Sequence, residues 1–147
     1  MYSVKVVEAV PLADMEVLVF FENGKTKKFD VKALLPEYPE FQALRNPDIF
    51  HLLHVEPGGY GISWNEELDC SEGELYDDGV EIPLSLDDFR SFVKYNLMTT
   101  GEAAGFLSCT RQNIEDLINR DKLHPIRILP NGKLFLRSEI EQRSWRY

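Results

Sequence analysis

The chain of 147 residues has only two cysteines, Cys70 and Cys109. Two isolated thiols build no disulfide framework, and the four clustered ligands of a structural zinc site are missing. Long apolar runs are missing too. Nothing approaches the roughly 20 apolar residues that span a bilayer. The opening Met1-Tyr2-Ser3-Val4-Lys5-Val6-Val7-Glu8 has no basic segment leading into an apolar one, so no secretory leader is expected. These absences point to a reducing, cytoplasmic setting without membrane contact. There is no nucleophile elbow, phosphate loop or paired Cys and His, so neither an enzyme nor a bound cofactor is expected.

What is present suits a folded chain: 44% apolar and 28% charged residues, as in ordinary globular proteins. The net charge of −9 argues against nucleic acid as a partner until its distribution is read. From Met98 to Tyr147 there are 8 basic and 6 acidic residues, a balance of +2, whereas residues 1 to 97 hold 8 basic and 19 acidic, a balance of −11. The acidity belongs to the first part of the chain.

Local pattern divides the chain the same way. Val4 to Pro11 and Met15 to Phe21 read as strands, and Asn23-Gly24 as a two-residue turn returning the chain along Thr26 to Phe29. Asp30 is a candidate cap for a short helix through Leu35, and Pro39 to Leu44 is a second short helical stretch. His51 to Val55 and Tyr60 to Trp64 read as strands around Pro57-Gly58-Gly59, and Asp69 to Tyr76 as a polar turn. At Pro83 the period changes. Leu86, Phe89, Phe92 and Val93 recur at helical spacing after Ser85, which predicts a helix from Leu86 to Asn96. The expected class is α+β: a small β-rich domain over 1–82 and a mainly helical domain over 83–147.

Thr99 with Glu102 has the form of a capping box and opens a helix through Leu107. Ser108-Cys109-Thr110 interrupts it. Thr110 then caps a second helix with Ile114, Leu117 and Ile118 on one face. Counted from Thr100, the apolar residues Ala103, Ala104, Leu107, Cys109, Ile114 and Leu117 resemble the buried pattern of the bacterial helix-turn-helix family, whose usual Gly at the ninth place is Ser108 here. Ala104 is small where two such helices would cross. Thr110, Arg111, Gln112 and Asn113 start the second helix without apolar load, the end that such a helix points into the major groove. Arg suits guanine there, and Gln or Asn suits adenine.

Further on, Arg127-Ile128 and Lys133-Leu134-Phe135 flank Asn131-Gly132 as a hairpin, and Ser138 with Glu141 predicts a last helix carrying Ile140 and Trp145. This order resembles excisionase and MerR-like winged modules, while the helix over Leu86 to Asn96 placed in front resembles phage-repressor bundles. The two stay open. The winged resemblance implies backbone contacts from Arg127 and Lys133, with Arg120 and Lys122 as further basic candidates after the second helix.

In the first part, Val17-Leu18-Val19-Phe20 before Asn23-Gly24-Lys25, Phe29-Asp30 with Leu34-Leu35, Phe41, Leu44, Asp48, Phe50, Ile62-Ser63-Trp64, Leu68-Asp69 and Leu75-Tyr76 resemble a bacterial domain family of unknown function, the one numbered 2442. Its members occur beside toxin-like genes, so the resemblance implies an alternative: an antitoxin-like protein whose first domain binds a toxin-like partner. His51 and His54 lack a third ligand, and the acidic stretch Glu66 to Asp78 lacks the order of a calcium loop, so no metal is expected. The leading expectation is a transcriptional regulator that binds double-stranded DNA as a homodimer.

Overall fold

The computed structural model describes residues 3–144. The fold mixes α and β, rich in strands first and in helices later, and divides into two compact units, Met1–Leu86 and Asp87–Tyr147.

The first unit is built on two antiparallel sheets. Strands β1 (Val6–Pro11), β2 (Glu16–Phe21), β3 (Thr26–Asp30) and β7 (Val80–Ile82) form one in that order, and β4 (His54–Val55), β5 (Gly61–Ser63) and β6 (Asp69–Ser71) form the other. The turn between β2 and β3 is one residue longer than its sequence predicts. Phe21 N–H donates to Lys25 O at 2.9 Å, leaving Glu22, Asn23 and Gly24 as the loop. The Asn23 side chain accepts from Lys25 N, and Gly24 alone turns left-handed, at φ +87°. This is the three-residue hairpin that ends in a glycine bulge.

Asp30 caps the expected short helix by accepting from Lys32 N, but the turn Val31–Leu34 is 3-10, as is Pro39–Arg45. Two expectations are corrected nearby. Only His54–Val55 of the first predicted strand is extended, because Asn46 caps and Pro47 opens a short helix α1 (Pro47–Phe50) just before it. Asp69 to Tyr76 is no polar turn. Its start is β6, and Ser71 then accepts from Glu74 N to cap helix α2 (Glu72–Asp78). Cys70 and Leu75 anchor these elements in the core, and burial pushes the Cys70 thiol far up from its ordinary range. Gly61 (φ +137°) lets β5 pass beside β6, since a Cβ there would stand 2.2 Å from Cys70 O. Trp64 closes the core, stacked on Phe50 at 6.1 Å and edge-on to Phe41 at 6.2 Å.

The second unit opens with helix α3 (Leu86–Asn96), as predicted, whose first residue still belongs to the first unit. Strand β8 (Leu97–Thr99) follows, then α4 (Thr100–Phe106), α5 (Arg111–Asn119), β9 (Arg127–Leu129), β10 (Gly132–Leu136) and α6 (Arg137–Ser144). The three strands form an antiparallel sheet in the order β8, β10, β9. Met98, Ala103, Ala104, Ile114, Leu117, Leu123, Phe135 and Ile140 make its core.

Two turn details are corrected here. Leu129 pairs with Gly132, so Pro130 and Asn131 form the hairpin turn and Gly132 begins β10. The last helix begins at Arg137, which places Ser138 inside its first turn instead of at the cap. Trp145 lies outside the described residues.

Candidate nucleic-acid interface

The two helices of the segment are fixed by side-chain caps at their starts and by backbone bonds at their ends. Thr99 Oγ1 accepts from Glu102 N at 3.1 Å, and Glu102 Oε1 accepts from Thr99 N at 3.1 Å, which completes the capping box of α4. Two of the orphan amides at the helix start are thereby satisfied. At the other end, Cys109 N donates to Ala104 O at 2.9 Å and Ser108 N to Gly105 O at 3.2 Å. This pair of bonds is a Schellman closure, which needs a left-handed residue in the position of Ser108. Ser108 adopts it, at φ +54°. The conformation usually supplied by glycine is therefore imposed on a serine, at a cost of about 1–2 kcal/mol.

Thr110 Oγ1 then accepts from Asn113 N at 3.1 Å and starts α5. The same closure recurs after α5, where Lys122 N donates to Leu117 O, Asp121 N to Ile118 O, and Asp121 is left-handed at φ +59°. Between these two closures α5 buries Ile114 and Leu117. Ala104 is 6% exposed at the α4 end of the packing, where a larger side chain would have to push against closely packed neighbours.

The polar side chains that start α5 stand away from this core. Thr110, Arg111, Gln112 and Asn113 are all exposed, as are Arg120, Lys122 and Arg127. They do not form one cluster. Arg111 bends back over α4, and a Cβ on Gly101 would stand 2.8 Å from its Nη2. Arg111 thereby lines a hollow of about 300 Å³ with Thr99, Thr100, Asn131 and Lys133, between the start of α4 and the hairpin turn. Gln112 leans along its own helix to Asp116, at 3.4 Å.

Lys133 is placed differently from its neighbours. Its Nζ donates to both carboxylate oxygens of Glu115 at 2.8 Å, so the hairpin is clamped to the middle of α5. The pair lies 18 residues apart in sequence, and nothing local signals it. Two other contacts were equally hidden. Arg137 Nε donates to Tyr95 O at 2.7 Å, satisfying a carbonyl in the last turn of α3. His124 bridges Asp121 and Glu139, with Nε2 at 3.0 Å from Asp121 Oδ1 and Nδ1 at 3.2 Å from Glu139 Oε1. Hydrogen bonding to Asp121 first, then to Glu139, raises its pKa above the ordinary 6.5.

In the first unit the histidine that stands nearest to polar partners is already engaged. His54 shares a hydrogen bond with buried Ser63 at 2.8 Å, while its other nitrogen lies 3.2 Å from Leu52 O. No group of three or more His, Cys, Asp or Glu among the described residues is arranged to hold a metal ion. No helix among the described residues is long and apolar enough to cross a membrane.

The model of the family described as "Protein of unknown function (DUF2442)" matches residues 6–81, just over half of the chain. The chain belongs to this family. Among curated proteins and among solved structures nothing matches. The DUF2442 match covers both sheets of the first unit and stops before α3, so the candidate interface on α4, α5 and the hairpin lies outside it.

Proposed function

We propose that the chain is a regulator that binds double-stranded DNA, with α5 in the major groove and the β9–β10 hairpin on the adjoining backbone. The observation that carries this reading is the division of α5. Its buried face holds Ile114 and Leu117, while its first turn offers Arg111, Gln112 and Asn113 with no part in the core. A helix presented in this way, next to a hairpin with basic residues, matches the docking of helix-turn-helix modules.

The winged form of such modules is favoured over the repressor-type bundle. Phe135 on β10 supplies a central core residue, whereas α3 has no buried residue to pack in front of the motif. In this reading Gln112 and Asn113 read base edges, most simply adenine. Arg111, drawn toward the hairpin, contacts a backbone phosphate together with Asn131. Arg120, Lys122 and Arg127 add sequence-independent attraction, and Lys133 holds Glu115 so that its carboxylate does not repel the DNA. The acidity of residues 1 to 97 discourages indiscriminate binding and leaves base contacts to choose the site.

Genomic fragments bound by the purified chain would be selected, and the affinity of the preferred sequence measured against salt. Gln112→Ala with Asn113→Ala is expected to remove sequence preference, at about 1–3 kcal/mol for each bidentate base pairing that the side chains made. Arg111→Ala is expected to weaken binding to every sequence and to flatten the salt slope by about 0.9. Lys133→Ala is expected to leave that slope unchanged, because Glu115 already neutralises its charge; a flattened slope would show that Lys133 exchanges Glu115 for phosphate. Sequence preference that survives the Gln112 and Asn113 changes overturns the assignment of α5.

A second reading, an antitoxin-like protein whose first unit binds a partner protein, is favoured by one feature. A hollow of about 360 Å³ beside Tyr38 and Phe41 is rimmed by Glu40, Glu67, Asp69 and Glu74, which suits a basic partner. Recovery of a stoichiometric basic protein with the chain from its native cell would favour it.

A further inference from the structure

Among the described residues, three glycines lie inside α-helices: Gly73 in α2, and Gly101 and Gly105 in α4. A Cβ added at Gly73 or Gly105 would meet nothing within 4 Å. At Gly101 it would stand 2.8 Å from Arg111 Nη2, 3.5 Å from Cζ and 3.7 Å from Nε. The Arg111 guanidinium therefore lies in the space that an alanine would fill. Alanine is the better helix former, so α4 itself gains nothing from glycine here.

Resting on the DNA-binding reading above, we propose that Gly101 is a positioning residue. Its bare backbone keeps open the seat from which the Arg111 guanidinium grips a DNA phosphate in the hollow between α4 and the hairpin. Arg111, Asn131 and Lys133 line that hollow and no aspartate or glutamate does, in a chain whose net charge is −9. The charge of Lys133 is taken up by Glu115, which leaves the guanidinium as the hollow's net cation. The planar fork of an arginine donates two parallel hydrogen bonds to a phosphate, each about 2.7–2.9 Å long. Bonds that short require the guanidinium in one place, and a methyl group on Gly101 would displace it.

The displacement costs the fold little. An arginine side chain relieves such a clash by swinging into solvent, with α4 and α5 left where they are. Phosphate contacts fix register and orientation on the duplex and carry no sequence information of their own. Gly101 thus governs how the start of α5 is set in the groove, while Gln112 and Asn113 choose the bases.

The test compares the full chain with Gly101→Ala, Arg111→Ala, the double change G101A/R111A and Gly105→Ala, by thermal melting and by affinity for the preferred DNA fragment against salt. Gly101→Ala is expected to melt no lower than the wild type, and up to a few degrees higher. It should nevertheless bind every sequence about tenfold more weakly, as Arg111→Ala does. Its salt slope should be flatter by about 0.9, again as for Arg111→Ala. The double change should be no weaker than Arg111→Ala alone, since Gly101 acts only through that side chain. Gly105→Ala should keep wild-type affinity and slope. Wild-type binding by Gly101→Ala where Arg111→Ala is impaired, or a double change weaker than Arg111→Ala, would overturn the proposal. Should no fragment bind at all, the DNA reading falls, and the seat is judged on inorganic phosphate added to the full chain. The Arg111 Nε–H resonance should then move in the wild type and stay still in Gly101→Ala; a wild-type resonance that ignores phosphate overturns the seat as well.

Discussion

The two units are held together by cores of different scale and present different chemistry to solvent. Among the described residues, fifteen buried side chains, five of them aromatic, close the first unit around Trp64, whereas eight close the second, with Phe135 as the one aromatic of those eight. The first unit spends its polar residues on an acidic surface. The second places exposed polar side chains, Arg111, Gln112 and Asn113, on the first turn of a single helix. A larger core gives a unit a greater margin against unfolding, because the fraction of surface buried rises with size and apolar burial stabilises at about 25 cal/mol per Å². The smaller unit thus carries the candidate interface with less margin. It relies instead on individual polar devices: a capping box, two left-handed closures, an ion pair between the hairpin and α5, and a histidine bridge.

The largest effect is expected where that small core is cut. Phe135 is fully buried on the central strand of the three-stranded sheet. Phe135→Ala should cost about 3–5 kcal/mol, comparable to the whole stability of a unit this small. Hydrogen exchange read by mass spectrometry should then show protection lost across residues 97–144 and kept across 6–81. Protection lost in both stretches would show that the units unfold as one, and the comparison between them would fail.

The contrast also explains what could be read from the residues alone. Caps were legible because the signal is local: Thr99 with Glu102, Thr110 and Asp30 each sit within three residues of the amide they accept from. The helix over Leu86 to Asn96 was legible from its period, and the hairpin at Gly24 from its turn residues. The strands β7 and β8 were not. Each is three residues long and is extended only because a distant strand, β3 or β10, supplies its partners. The helix α2 was hidden in an acidic stretch, with Leu75 its one buried residue and Ser71 its cap. At the candidate interface, the identity of the exposed donors was legible, but their direction was not. Arg111 over Gly101 and Lys133 on Glu115 are tertiary contacts, and no spacing rule yields them.

A smaller effect, of opposite sign, is expected at the first left-handed closure. Ser108 holds φ +54° without the freedom of glycine. Ser108→Gly should raise the stability of the second unit by about 1 kcal/mol, since the steric cost of that conformation falls away while the unfolded chain gains some entropy. Thermal melting followed on the second unit's signals would detect it as a rise of several degrees. Ser108→Ala should leave stability near that of the wild type or below it. If Ser108→Gly lowers stability, the serine hydroxyl contributes more than the backbone strain costs, and the turn owes its form to its side chain.

The smallest effect is a pH dependence confined to the second unit. His124 is exposed, but its ring lies between Asp121 after α5 and Glu139 on α6, and its backbone N–H donates to the same Glu139 oxygen at 2.7 Å. The two carboxylates favour the imidazolium, so the folded-state pKa stands above the ordinary 6.5. A raised pKa means that folding takes up protons. The stabilising contribution is complete below pH 6.5, the unfolded value, and is lost as pH rises through the folded-state value. Asp121 and Glu139 are the acidic groups that face the ring. Denaturant titrations of the second unit's signals at a series of pH values should show stability falling as pH rises through neutrality, and His124→Gln should flatten that fall while sparing the first unit. Solvent screens the bridge, so the change is expected to be small. An equal slope in His124→Gln would assign it to other groups, and the bridge would then hold α6 through the backbone N–H alone.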